Sequence, residues 1–186
     1  MNIMNVKHRM HYSEYLIVKG FAILIALALI ATIILKVTNT LSNNLFKDVA
    51  AEVFVTYEDN KVYDPEDYIQ IDGKYYRTDC SGYVDAVLAK MNIIDTTAAS
   101  NAFMEDKELK DALTNAGFTY AILTDAADIT STSIIVKSGL VAIVVPNNEY
   151  DEYTLYCWSS SQATVKSLSA DQINEYGFTN IYSLTE

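Results

Sequence analysis

The longest hydrophobic segment of the chain lies near its N-terminus. Residues 16–35 read LIVKGFAILIALALIATIIL, and no residue from Gly20 to Leu35 carries a charge. About 20 apolar residues in a helix are needed to span a hydrocarbon core of roughly 30 Å. The segment is apolar on every side, whereas a core helix in a small domain would show a polar stripe. It therefore predicts a transmembrane helix over residues 16–36.

The pattern after this segment predicts that the helix continues. Apolar residues recur at every fourth position, at Leu41, Leu45, Val49 and Val53. Such spacing is typical of a helix, and no glycine or proline occurs from Phe21 to Asp64. We therefore expect a helical stalk over residues 37–54. Because Asp64-Pro65 marks a break, the folded domain is expected to cover residues 55–186.

The remaining pattern predicts two helices followed by short strands. Val84, Val87, Leu88 and Met91 have the spacing of an amphipathic helix, and Asp79 is its N-cap candidate. A second helix is expected over residues 104–115, before a glycine at position 117. Segments rich in Ile, Val, Thr and Tyr predict strands at residues 119–123, 133–136, 140–145, 153–158, 164–168 and 179–184. This order predicts an α+β fold with helices on an antiparallel sheet and sequential strand pairing.

Composition and charge narrow the class of protein. With 51% hydrophobic and 20% charged residues, the chain is not expected to be disordered. The net charge is −11, and the basic N-terminal segment contributes Lys7, Arg9, Lys19 and Lys36 against Glu14. An acidic domain of this kind is a poor partner for nucleic acid. Two cysteines are too few for a disulfide scaffold, and with only two histidines a structural zinc site is not expected; nor is any cofactor.

The same charge distribution predicts an orientation in the membrane. Positive residues collect on the cytoplasmic side of a membrane helix. Residues 1–15 are therefore expected to form a cytoplasmic tail, and residues 55–186 to lie outside the cell. The resulting prediction is a single-pass protein of the cell membrane.

One cysteine stands where a nucleophile could be activated. Cys80 opens the helix that Asp79 is expected to cap, and unpaired N–H groups at a helix start favour the thiolate. The alternative is a cysteine that acts as a small buried apolar residue. Cys157 lies in a predicted strand. Either the two cysteines pair or one of them takes part in chemistry.

Residues 79–84, Asp-Cys-Ser-Gly-Tyr-Val, resemble the cysteine motif of the NlpC-type cell-wall cysteine peptidases. The resemblance extends over about residues 68–184 and implies a papain-type fold, in which the cysteine opens a helix that packs on an antiparallel sheet. It also implies peptide bonds of peptidoglycan stem peptides as substrates and Cys80 as the nucleophile. The implied substrate contacts are Tyr76, Asp79, Ser81, Gly82 and Trp158.

The catalytic base of that family is missing here. Its histidine begins a strand, and Leu140 holds the matching position, while His8 and His11 precede the predicted membrane helix. The resemblance places Cys157 at or next to the third catalytic position, and we hypothesise a disulfide to Cys80. Because loss of the base removes much of the rate, we expect a non-catalytic or weakly active relative that binds peptidoglycan or another surface protein. An active peptidase with an unusual base is the alternative.

A second resemblance concerns the N-terminal segment. Lys19-Gly20-Phe21 before an apolar run resembles the processing site of type IV prepilins, which are cut after the glycine. The glutamate that this family carries at its fifth mature position is replaced by Ile25. A pilin-like or pseudopilin filament subunit is therefore a further alternative.

Overall fold

The computed structural model describes residues 11–60, 67–94, 97–147, 150, 152–159 and 162–184. The chain divides into two units, with the boundary between Thr40 and Leu41. Helix α1 (His11–Asn60) contributes residues to each unit.

The first unit consists of the N-terminal part of α1. In the ranges that the structure describes, no helix combines the length and the apolar content that crossing a membrane requires. The predicted transmembrane helix over residues 16–36 is therefore wrong. The predictions that depended on it, a single-pass membrane location with a cytoplasmic N-terminus and an extracellular domain, are contradicted as well. Residues 1–10 of the predicted tail lie outside the described residues.

The second unit is a small α+β domain with an antiparallel sheet. Its elements after α1 are β1 (Tyr68–Ile71), β2 (Lys74–Arg77), α2 (Cys80–Lys90), α3 (Ala102–Glu105), α4 (Lys107–Asn115), β3 (Phe118–Ile122), a 3₁₀ turn (Ala126–Asp128), β4 (Ser133–Lys137), β5 (Leu140–Asn147), β6 (Glu152–Ser159), β7 (Gln162–Ser169), α5 (Ala170–Glu175) and β8 (Asn180–Leu184).

The strands form a hairpin and a six-stranded sheet. Strands β1 and β2 pair with each other, and the larger sheet has the order β3-β8-β4-β5-β6-β7 with antiparallel neighbours throughout. Strands β4 to β7 follow one another as a meander, as sequential pairing predicts. The exception is β8, which inserts between β3 and β4, so that Ile181 lies opposite both Ala121 and Ile135.

The two faces of the six-stranded sheet carry separate apolar clusters. Successive side chains of a strand point to opposite faces. Val141 and Ile143 of β5 belong to the cluster that includes residues of α1, α2 and α4. Ala142 and Val144 belong to the cluster on the other face, which includes Ile173 of α5. Which face a residue occupies therefore decides whether it can reach α2.

The end of α1 forms part of the domain core. Its buried side chains are Phe46, Val49, Ala50, Val53, Phe54 and Tyr57. Phe46 makes an edge-to-face contact with Phe118, with ring centroids 5.5 Å apart. The Tyr83 hydroxyl donates a hydrogen bond to the Ala50 carbonyl oxygen at 2.9 Å. The domain thus begins at Leu41, and this part of the expected stalk is packed against α2 and the sheet.

Replacing Phe46 with alanine tests this assignment. Phe46 is fully buried, so Phe46→Ala should lower the free energy of unfolding by about 3–5 kcal/mol through lost burial and a residual cavity. Leu45 is 54% exposed, and Leu45→Ala should change it by about 0.5 kcal/mol or less. Urea unfolding of both variants measures the difference. Equal, small effects would contradict a packed helix end.

Candidate functional site

The candidate site lies at the start of α2, where Asp79 caps the helix. Asp79 has extended backbone geometry, and its Oδ1 accepts hydrogen bonds from the Gly82 amide at 2.7 Å and the Ser81 hydroxyl at 2.8 Å. A cap of this kind satisfies amides that have no partner within the helix. Of the predicted substrate contacts, Asp79, Ser81 and Gly82 therefore serve to build the first turn.

Gly82 is required by close packing of the helix on β2. A Cβ atom at this position would lie 2.0 Å from the carbonyl oxygen of Arg77, and the nearest atoms are backbone. The Tyr57 hydroxyl donates a hydrogen bond to the same carbonyl at 2.9 Å. The motif therefore holds α2 tightly against the strand that precedes it.

The Cys80 thiol is buried beside a hydroxyl and a backbone amide. It is 6% exposed, and its Sγ lies 3.3 Å from the Ser100 Oγ. Burial raises the pKa of the thiol, and hydrogen bonds from Ser100 and the Val141 backbone oppose this effect only in part. The expected favourable effect of the helix start on the thiolate is therefore outweighed by desolvation.

The position expected for the base is apolar. Leu140 begins β5, is half-buried, and packs against both clusters. The sequence contains no histidine after His11, so the domain supplies no imidazole to this site. The Ser100 hydroxyl lies within hydrogen-bond distance of the sulfur, and a serine hydroxyl does not act as a base near neutral pH.

Cys157 does not face Cys80. Both cysteines are free thiols, and they belong to the clusters on opposite faces of the sheet. The hypothesised disulfide is therefore not formed, because the sheet lies between the two side chains. Burial raises the pKa of Cys157 to about 12, with a smaller contribution from Cys80. The β6 residues on the Cys80 face are its neighbours Tyr156 and Trp158.

The two predicted aromatic substrate contacts, Tyr76 and Trp158, are buried. Trp158 makes edge-to-face contacts with Phe54 and Tyr57, at centroid distances of 5.8 and 5.4 Å. Tyr76 lines a cleft of about 230 Å³ beside Lys90, whose ammonium group lies 2.8 Å from Glu52. Both residues therefore support the fold around α2 and offer little exposed surface to a ligand.

Sequence reasoning missed a buried carboxyl group on α2. Asp85 is 1% exposed, and its Oδ2 accepts a hydrogen bond from the Ala98 amide at 2.6 Å. Its Oδ1 has no hydrogen-bond partner among the residues that the structure describes. Burial raises the pKa of Asp85 to about 8; the Ala98 hydrogen bond and Arg77 lower it, and Asp79 raises it. The available signal was an acidic residue within the apolar run of residues 83–88.

A cleft lies next to the loop that carries Ser100. Its volume is about 600 Å³, within the range of small-molecule pockets. It is lined by the apolar side chains or backbone of Ile93, Ile94, Ala98, Ala99, Ala102, Leu109 and Ala112, together with Thr97, Asp106 and Glu108. Within the described ranges, no group of histidine, cysteine or acidic residues is placed to hold a metal ion. The arrangement favours binding of an apolar group with a nearby cation.

Comparisons with models of protein families, with curated proteins and with solved structures found no match. The resemblance to the NlpC-type peptidases consequently depends on residues 79–84 and on the order of elements around them.

The stability of the domain should depend on the protonation of Asp85. Its folded pKa of about 8 lies above the unfolded value of about 3.9, so the native state holds this proton more tightly. The free energy of unfolding should therefore fall as the pH rises from about 4 to about 8. Asp85→Asn should remove this contribution, which urea unfolding at a series of pH values measures.

Asp111→Asn is the control, because Asp111 is an exposed carboxylate on α4. This variant should retain the pH dependence of the unmodified chain. If Asp85→Asn retained it as well, Asp85 would not be protonated in the folded state.

Proposed function

We propose that the domain is a non-catalytic NlpC-like module that binds peptide, with cell-wall stem peptides as the ligand class that the motif implies. The observation that carries the proposal is the state of Cys80. Its thiol is buried, its pKa is raised, and Leu140 stands at the expected position of the base.

Hydrolysis of a peptide bond by the Cys80 thiol would need several features that the site does not provide. The thiolate is the nucleophilic form of cysteine, and desolvation at Cys80 favours the neutral thiol. A positioned base accelerates such reactions by about 10²–10⁴-fold. These observations favour a module with a peptidase-like fold and little or no hydrolytic activity.

Binding of peptide is supported by the cleft beside the loop. Its apolar walls suit an aliphatic side chain, and Glu108 and Asp106 lie at the same cleft. Asp106 already accepts hydrogen bonds from two amides of α4, so Glu108 is the better partner for a cation. We therefore expect a short peptide with a small apolar side chain and a free amino group.

Calorimetry with soluble stem peptides, together with chromatography of the products, tests the proposal. The unmodified chain and Cys80→Ala should bind the peptides equally and release no product, because the thiol takes no part in hydrolysis. Absence of binding would contradict the proposal that the domain binds stem peptides. A product that Cys80→Ala abolishes would instead establish an active peptidase.

A matched pair of variants on α4 tests where the peptide binds. Glu108→Gln should weaken binding about twofold to fivefold, the effect of losing one partly exposed ion pair. Asp111→Asn, on the same helix but outside the cleft lining, should leave binding unchanged. Equal effects would place the peptide elsewhere.

A filament subunit is the second candidate, and the first unit favours it. Among the described residues of the first unit, eight large apolar side chains of α1 are more than half exposed: Ile17, Phe21, Ile23, Leu24, Ile25, Leu27, Leu29 and Ile30. Contacts between helices of neighbouring subunits would cover this apolar surface, as contiguous exposed apolar patches commonly indicate an interaction site.

Cleavage of the chain after Gly20 tests whether it is a filament subunit. N-terminal sequencing of the chain isolated from its own cells should begin at Phe21 if the chain is a pilin-like subunit. An intact N-terminal segment that includes Lys19 would contradict it. Peptide binding by the second unit can be measured whichever result is found.

A further inference from the structure

A short loop between α2 and α3 contacts the thiol directly. This loop, residues 97–101, brings the Ser100 Oγ to 3.3 Å from the Cys80 Sγ. Thr97, Ala99 and Asn101 are exposed to solvent, whereas Cys80 is buried. The loop therefore lies on the solvent side of the sulfur.

Two further hydrogen bonds hold the loop, one on each side of this contact. On one side, the Ala98 amide donates to the Asp85 Oδ2 at 2.6 Å. On the other side, the Asn101 Oδ1 accepts a hydrogen bond from the Gly139 amide at 2.9 Å, next to the start of β5. The loop is thus attached to α2 and to the turn that precedes β5.

We propose that residues 97–101 form a displaceable cover over Cys80, and that Asp85 is the latch that holds the cover closed. The cover adds regulation to the site of the proposed function and rests on that proposal for its biological role. Its closed state explains why a thiol at a helix start is shielded from solvent.

The two carboxyl oxygens of Asp85 differ in their hydrogen bonding. The Asp85 Oδ2 bond to the Ala98 amide stabilises the closed loop. In the part of the chain that the structure describes, the buried Oδ1 of the same carboxyl has no partner, which costs free energy relative to water. Opening the loop would break the first bond. Because one hydrogen bond makes a modest net contribution to stability, the closed state is favoured by little, as a displaceable cover requires.

If the loop covers Cys80, the hydrogen bonds that hold the loop should limit the rate at which Cys80 reacts in the folded chain. The unmodified chain and each variant are treated with iodoacetamide under native conditions, and the adduct on Cys80 is quantified by mass spectrometry of a digest. Asp85→Ala and Asn101→Ala should each accelerate alkylation about fivefold to tenfold, the effect of losing one hydrogen bond that favours the closed state. Neither substitution changes Ser100, whose Oγ lies 3.3 Å from the sulfur.

Asp111→Ala is the matched control, because it changes an exposed carboxylate outside both the loop and the cleft lining. It should leave the alkylation rate unchanged. Urea unfolding of each variant shows whether the native state is populated, and if Asp85→Ala does not fold, Asn101→Ala decides alone. Rates equal to that of the unmodified chain in the folded variants would overturn the proposal. No peptide is present in this assay, so its failure would leave peptide binding standing, and failure of binding would leave the cover standing.

Discussion

Edge-to-face contacts among four aromatic side chains hold together the parts of the domain that surround Cys80. Phe54 and Tyr57 of α1 each contact Tyr83 of α2 and Trp158 of β6, with ring centroids 5.4–5.9 Å apart. Because these contacts join a helix end, a second helix and a strand, they fix α2 against one face of the sheet. The first turn of α2 is then removed from water together with its cysteine.

Removal from water determines the chemistry of this site. A helix start favours a thiolate, but the free energy of desolvation acts in the opposite direction and is the larger effect at Cys80. The same burial leaves Asp85 with a raised pKa. Near pH 7 Asp85, which would be ionised in a hydrated cleft, is therefore largely neutral, and burial further reduces the small thiolate fraction of Cys80.

Local sequence signals were enough to predict much of the domain. Asp79 caps α2 as its side chain and position indicate, and strands β4 to β7 lie close to the predicted segments because their β-branched residues are bounded by turn residues. The predicted helix over residues 104–115 is divided instead at Asp106, whose carboxylate caps α4 and whose backbone is extended. Asp106 is a common type of N-cap residue, but the helical spacing of the apolar residues around it favoured a continuous helix.

The remaining features depend on contacts between distant parts of the chain. Cys157 lies on the face of the sheet opposite Cys80, whereas its neighbours Tyr156 and Trp158 lie on the Cys80 face, because successive side chains of a strand alternate between faces. The insertion of β8 between β3 and β4, and the packing of Phe46 on Phe118, join segments that are far apart in sequence. Ser100 lies in a loop with no motif, so only its position beside Cys80 identifies it.

The protonation of Cys80 tests the central claim most directly. The rate of iodoacetamide alkylation at Cys80 is measured in the folded chain as a function of pH, with the adduct quantified by mass spectrometry of a digest. Burial predicts an inflection above the ordinary thiol value of about 8.5. An inflection below about 7 would show a thiolate at neutral pH, and would contradict a non-catalytic site.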